Sequence, residues 1–303
     1  MRSADDIRPV SLPDARPLVA ILWMVATTLL FAATNIVVHA QGDSVPVVQA
    51  VFIRMVCGLI LVLPGLIEIA RNRYPRDAWT MFGLRGIAQT AGMVLWFFAM
   101  ARTPMADVTA IGYLTPIVVT VGGALLLGEG FSWRRGAAIG VALVGALVIL
   151  RPGLREILPG HVAELGAALA FGLSYLGVKR LTRHASANAI VAMMTLMAAV
   201  ILAPWALAVW QPVSLSQVLW LGLTAVLATG GQLTMTKALA SAPVSVTQPV
   251  VFTQLIWVAL AGLFLFGEPI DPLVILGGAM ILGSVVYVTL REAALKRRAA
   301  AKA

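Results

Sequence analysis

The hydrophobic positions of this chain do not alternate with polar ones; they run on. Continuous apolar stretches fall at 18–38, 47–70, 79–101, 105–128, 133–150, 162–181, 187–210, 216–240, 244–267 and 270–290, separated by charge, Pro or Gly. Each is close to the ~20 residues that an α-helix needs to cross a bilayer. Membrane strands would show the two-residue alternation of a barrel, and in lipid the remaining way to satisfy the backbone is the helix. The pattern therefore predicts an all-α membrane protein with ten transmembrane helices.

Composition agrees. The 303 residues are 60% hydrophobic and 12% charged, with a mean hydropathy of +0.93, whereas soluble domains carry about 25% charge. A soluble enzyme is excluded, and the spans leave no room for a sizeable extramembrane domain. The single cysteine, Cys57, lies in an apolar run, so neither a disulfide framework nor a thiolate metal site can form. No cofactor is implied.

The net charge of +9 would suggest nucleic acid in a soluble protein, but here it reads as topology. Of the 22 Lys and Arg, Arg102, Arg151 and Arg155 fall on one side, Arg54 and Arg85 lie within spans, and the other 17 share the side of the N-terminus. The positive-inside rule then puts both termini in the cytoplasm. Residues 1–17 read as a cytoplasmic tail, not a signal peptide. Residues 291–303 form a basic tail that can touch anionic lipid. Nucleic acid is not expected as a partner.

An internal repeat divides the rest. Residues 99–130 lie without gaps on 238–269 at an offset of 139, pairing Pro104 with Pro243, Gly123 with Gly262 and Gly128-Glu129 with Gly267-Glu268. A fainter echo at 140 pairs Phe31 with Phe171 and Pro64 with Pro204. The repeat unit holds five spans, an odd number, so the second copy (162–290) enters the membrane from the opposite side to the first (18–150). Two inverted five-helix repeats of this kind build alternating-access carriers with the substrate near the midplane.

These features resemble the EamA family of the drug/metabolite transporter superfamily: ten spans in two halves, Arg54 in the second span, Ala99, Pro104, Pro116 and Gly128-Glu129 along the fourth, and a Gly-rich fifth. The resemblance implies a multi-pass carrier of the bacterial inner membrane, often an exporter of amino acids, aromatic ones included, or of other small metabolites. It specifies the fold well and the substrate poorly.

Arg54 lies about seven residues, roughly 10 Å, into the second span. An intramembrane charge marks a functional site by default. It can clamp a substrate carboxylate, pair with Asp107, or snorkel to the surface. Arg85, nearer a span end, is expected to reach headgroups. Polar and aromatic groups in other spans, Asn35, Gln89, Trp96, Tyr113, Thr115, Tyr175, Gln254 and Trp257 among them, suit a cavity for zwitterionic or planar solutes. Trp96, Tyr113, Gln254 and Trp257 are the leading lining candidates; each can equally bond a neighbouring helix. Pro116 and Pro249, inside their spans, can act as gating bends or fixed kinks. Gly136, Gly140 and Gly145 of span five, with Gly277, Gly278 and Gly283 of span ten, are assigned to packing within the halves or at a dimer seam. The protein is accordingly a monomer or a homodimer.

The carboxylates Glu68, Asp107, Glu129, Glu164, Glu268 and Asp271 lie near span ends. Without one at the midplane no proton relay is evident, and facilitated diffusion is the expected mechanism. His39 falls at the outer end of span one, where a solvated ring is expected. HExxH and GxSxG are absent, and so is a phosphate loop, which excludes ATP-driven pumping by this chain alone. An importer, a proton-coupled antiporter, a channel and an embedded enzyme remain as alternatives, with export of amino acids first.

Overall fold

The computed structural model describes residues 17–126, 133–154, 156–181, 184–241, 250–251 and 253–300. Among them the chain is helical, without strands. In chain order the helices are α1 (Pro17–Gln41), α2 (Val47–Leu61), α3 (Leu63–Arg71), α4 (Arg76–Arg102), α5 (Met105–Gly112), α6 (Thr115–Leu126), α7 (Trp133–Leu150), α8 (Pro159–Leu181), α9 (Ala187–Ala208), α10 (Leu215–Ser241), α11 (Thr253–Phe266) and α12 (Pro272–Ala300). Five of the described helices are long and apolar enough to cross a membrane, and six if α2 and α3 count as one broken span. Ten crossings are therefore not established by length and composition alone. The helices around Met105–Val119, Gly136–Leu150 and Thr253–Phe266 are apolar but shorter.

Burial runs opposite to that of a water-soluble protein. Phe264, Trp205 and Leu219 are 77%, 68% and 63% exposed, while Gln49, His161, Glu164 and Arg54 are buried. An apolar exterior around a polar interior is what a hydrocarbon solvent selects.

The packing exchanges the halves. Helix α4 lies along α8 as α1 lies along α10; α6 meets α8 as α11 meets α1; α2 faces α9, and α7 faces α12. The faint Phe echo explains one pair of these contacts. The ring of Phe171 covers Gly92 of α4, where a Cβ would sit 2.7 Å from it, and the ring of Phe31 covers Gly231 of α10, where a Cβ would sit 2.5 Å from it. Two equivalent glycines thus admit two equivalent rings across the interface between halves.

Two spans expected to be continuous are broken. Helices α2 and α3 meet at 73°, because Pro64 in the first turn of α3 has no N–H to continue the ladder. Ser186, which caps α9, donates to Glu68 Oε2 at 2.6 Å and ties α3 to α9. Helices α5 and α6 are separated at Tyr113–Leu114, just before Pro116, which is the second residue of α6. Pro249 lies outside the described residues.

The small residues of spans five and ten join the two halves, not helices within one half. A Cβ on Gly145 would stand 2.7 Å from the Gly277 carbonyl, and one on Gly277 2.5 Å from the Gly145 carbonyl. Gly140 and Gly283 have nothing within 4 Å. Because the obstructing atoms at the seam are backbone, Gly277→Val must separate α7 from α12, at an expected cost of about 1–3 kcal/mol or more. Gly140→Ala and Gly283→Ala should leave stability unchanged or slightly higher. Heat-induced loss of monodisperse protein in detergent reads the difference.

Candidate functional site

Five helices from both halves surround an interior cavity of about 120 Å³: Arg54 from α2, Arg85, Gln89 and Met93 from α4, Tyr175 from α8, Met194 and Thr195 from α9, and Thr229 and Gln232 from α10. Arg54 and Arg85 are 8% and 7% exposed. Arg54 Nη1 donates only to the thioether of Met93 at 3.3 Å, its Nε is unpartnered, and its guanidinium lies 5.8 Å from the Phe97 ring centroid. Arg85 Nη2 reaches Met194 Sδ at 3.5 Å, and its Nε and Nη1 are unpartnered. Sulfur is a weak acceptor. Among the described residues neither guanidinium has a carboxylate within ion-pair distance.

The rest of the wall adds donors. Ser174 donates to Gln89 Oε1 at 2.9 Å, which engages the acceptor of this cavity-lining amide. Tyr175 brings a phenol at the rim. Among the described residues, the two charges of the site have no anion beside them. A buried charge without a partner is costly, and a planar guanidinium fork suits a carboxylate or phosphate.

Arg54 does not pair with Asp107. That carboxylate is buried against His161, with Nε2 2.9 Å from Oδ2. The N–H of Leu158 donates to His161 Nδ1 at 3.0 Å, which fixes the neutral tautomer with Nε2–H donating to Asp107. Arg85 is likewise enclosed and does not extend to headgroups.

Of the other residues singled out in the sequence, Gln89 and Tyr175 join Arg54 and Arg85 at this cavity, while Asn35, Trp96, Tyr113, Thr115, Gln254 and Trp257 do not line it. Asn35 donates to Thr109 Oγ1 at 3.0 Å and ties α1 to α5. Trp96 packs against the core with its ring edge-on to Phe97, centroids 5.3 Å apart. Tyr113 donates to the Val251 carbonyl at 3.3 Å from the α5–α6 break, and Thr115 opens α6. Gln254 and Trp257 lie on α11, half-buried, the indole N–H of Trp257 unpartnered. The thioethers of Met93 and Met194 were not legible as site residues, since an apolar letter in an apolar run carries no signal of what it touches.

A second polar layer joins the halves at the end where α1, α4 and α7 finish. Besides Asp107–His161 it contains His39–Glu268 at 3.2 Å and an Arg151–Asp271 ion pair. Partial burial would raise the Asp271 carboxyl, but the Arg151 guanidinium and the N–H groups of Leu273 and Val274 hold it below the usual range. An acidic cavity of about 270 Å³ adjoins this layer. Glu164, one turn along α8 from His161, is 2% exposed with Oε2 unpartnered, close beside Gly112 at the α5–α6 break. Glu164 thus lies near a span end, in the second turn of α8, and is enclosed there.

The sequence profile of the EamA-like transporter family matches residues 18–151 and again residues 158–290. The chain belongs to this family. Similar proteins include a riboflavin transporter of Vibrio cholerae, 29% identical over 93% of this chain and 96% of that protein. A pseudopaline exporter of Pseudomonas aeruginosa is 25% identical over 86% and 93% of the two chains. An S-adenosylmethionine uptake transporter of Rickettsia bellii is 22% identical over 90% and 94%. A solved crystal structure, 19% identical, superposes with a TM-score of 0.56 over 92% of this chain and 96% of that one, a likeness of fold. This EamA chain is a multi-pass membrane transporter, and a small-molecule cargo follows from that. Its two matched segments are the two halves that exchange contacts around the arginine cavity.

Proposed function

We propose that this protein exports small carboxylate-bearing metabolites, amino acids foremost and aromatic ones included, across the bacterial inner membrane by alternating access. The observation that carries the reading is the pair of buried guanidiniums, Arg54 and Arg85, facing one cavity with no carboxylate beside either among the described residues. A substrate carboxylate supplies the missing anion, and Gln89 and Tyr175 supply further donors. The cavity is smaller than the ~300–1,000 Å³ of common ligand pockets, which favours a compact substrate or a state that widens on binding.

In this reading the chain makes ten crossings: α1, α2 with α3, α4, α5 with α6, α7, α8, α9, α10, the segment ending in α11, and α12. The short helices cross in pairs or with their flanking residues. Both termini are cytoplasmic, so the layer containing His39, His161 and Arg151 faces outward. Cross-half pairs close that end, while the arginine cavity extends to Val62 at the α2–α3 break, toward the cytoplasm. Loading from the cytoplasm, and hence export, suits this conformation. The relatives named above are carriers in both directions, so direction rests on the conformation.

Proteoliposomes test the proposal. A panel of labelled amino acids is offered with unlabelled competitors, each amino acid beside its own carboxamide. The acid should compete and the amide should be weaker by about 10- to 150-fold, the range for a lost hydrogen bond to a charged group. Equal competition by acid and amide, or no flux of any carboxylate tested, overturns the reading.

A further inference from the structure

We propose that His39 and Glu268 form a proton-binding site that latches the two halves together at the end opposite the arginine cavity. His39 ends α1 in the first half, and Glu268 follows α11 in the second. His39 Nδ1 lies 2.6 Å from the carbonyl oxygen of Met100, which only accepts, so Nδ1 carries a hydrogen. His39 Nε2 lies 3.2 Å from Glu268 Oε1. With both ring nitrogens facing acceptors, this contact is attractive only while it holds one more proton, on the ring or on the carboxyl.

The other oxygen is engaged as well. Glu268 Oε2 accepts the N–H of Met105 at 3.2 Å, at the start of α5. Phe266 covers the imidazole edge-on, with centroids 4.6 Å apart. One proton therefore links α1, α4, α5 and the end of α11. When it leaves, a ring lone pair faces a carboxylate in a half-buried site, and the attraction across the halves becomes repulsion.

The charged groups of the elements packed on α1 are in other contacts or away from this end: on α4, Arg76 and Asp77 begin the helix at its other end and Arg85 faces the arginine cavity. Arg102 of α4 pairs with Asp43 and stacks on Phe98; Asp107 of α5 is bonded to His161; Lys237 of α10 lies over Trp23 at the far end of α1; described α11 carries none. On the neighbouring loops Arg151 is paired with Asp271. His161, with its neutral tautomer fixed by a backbone N–H, is the contrast: its pairing with Asp107 needs no added proton. The latch thus has one proton-dependent bond and two ordinary ones. Loss of the proton loosens this end as pH rises through the histidine range.

The test needs no substrate, so it stands apart from the proposed cargo. Spin labels on Leu154→Cys, in the loop that leaves α7 of the first half, and Leu215→Cys, at the start of α10 of the second half, both exposed beside this end, report its opening in liposomes in a Cys57→Ser background. Between about pH 5 and pH 8, where histidine changes charge, the distance distribution should shift toward a longer component. Glu268→Gln is the decisive variant. Its amide can accept from Met105 N–H and donate to the neutral ring, which keeps both contacts without the added proton, so its distribution should not change over that range. Nitrogen-labelled histidine gives a second readout, because the chain has three His. Near neutral pH both His39 nitrogens should be protonated in the wild type and one in Glu268→Gln. A wild-type distribution indifferent to pH, a Glu268→Gln protein that opens as the wild type does, or a neutral His39 in an intact wild-type pair with protonation absent from Glu268 overturns the proposal.

Discussion

Arg54→Met is expected to weaken substrate binding by roughly 10- to 150-fold while leaving the folded protein at least as heat-stable as the wild type. Most substitutions of a buried group lower stability. Arg54 is different because among the described residues no carboxylate pairs with its guanidinium: it rests against Met93 and the Phe97 ring, with Nε unpartnered. A charge near the centre of a membrane helix costs about 2.5–3.5 kcal/mol on insertion scales. A methionine of similar length removes that cost and keeps the packing. The substrate, by contrast, loses a charge-assisted bond of about 1.5–3 kcal/mol, or roughly 10- to 150-fold in half-saturation. Arg54→Lys keeps the charge without the fork and should fall between the two. Flux in proteoliposomes and thermal stability in detergent must be read together. Parallel loss of both in Arg54→Met would make Arg54 a structural residue.

His161→Ala is expected to be among the most destabilising single changes in the chain. The ring is fully buried, it receives the N–H of Leu158, and it donates to the buried Asp107 across the interface between halves. Removing one member of a buried pair strands the other, at a cost of about 3–5 kcal/mol. Asp107→Asn should cost less, because the amide oxygen can still accept from Nε2–H without leaving a charge. The order wild type, Asp107→Asn, His161→Ala in thermal stability is the check; a His161→Ala protein as stable as the wild type would show that the pair holds nothing together. His39→Gln should be milder than His161→Ala, since His39 is only partly enclosed.

The apolar runs, their punctuation and the distribution of Arg and Lys were enough to read an all-helical membrane protein in two halves. The reason is that hydrocarbon imposes one rule on every residue it touches, and that rule is visible letter by letter. The repeat was legible for the same reason: Pro and Gly act on their own backbone, so Pro104, Pro243 and the paired Gly-Glu steps keep their meaning out of context. Arg54 stood out because a charge in an apolar run is costly whatever surrounds it. Tyr175 was reachable on similar grounds.

What the sequence alone could not decide is which groups meet. Asp107 is as near to Arg54 in membrane depth as a partner needs to be, yet it faces α8 and finds His161. Arg85 stands close enough to a span end to snorkel, yet the packing of α4 on α8 and α9 turns it inward, against Met194 and beside Tyr175. His39 lies near a span end and was expected in solvent, yet helix–helix contact half-buries it; Glu164, also near a span end, is buried. Span position fixes depth along the membrane normal, which the one-dimensional sequence encodes. Rotation about each helix axis and choice of neighbour are set by which ring meets which glycine, as Phe171 meets Gly92 and Phe31 meets Gly231. Only the tertiary structure decides those, and with them the site where two buried arginines share a cavity.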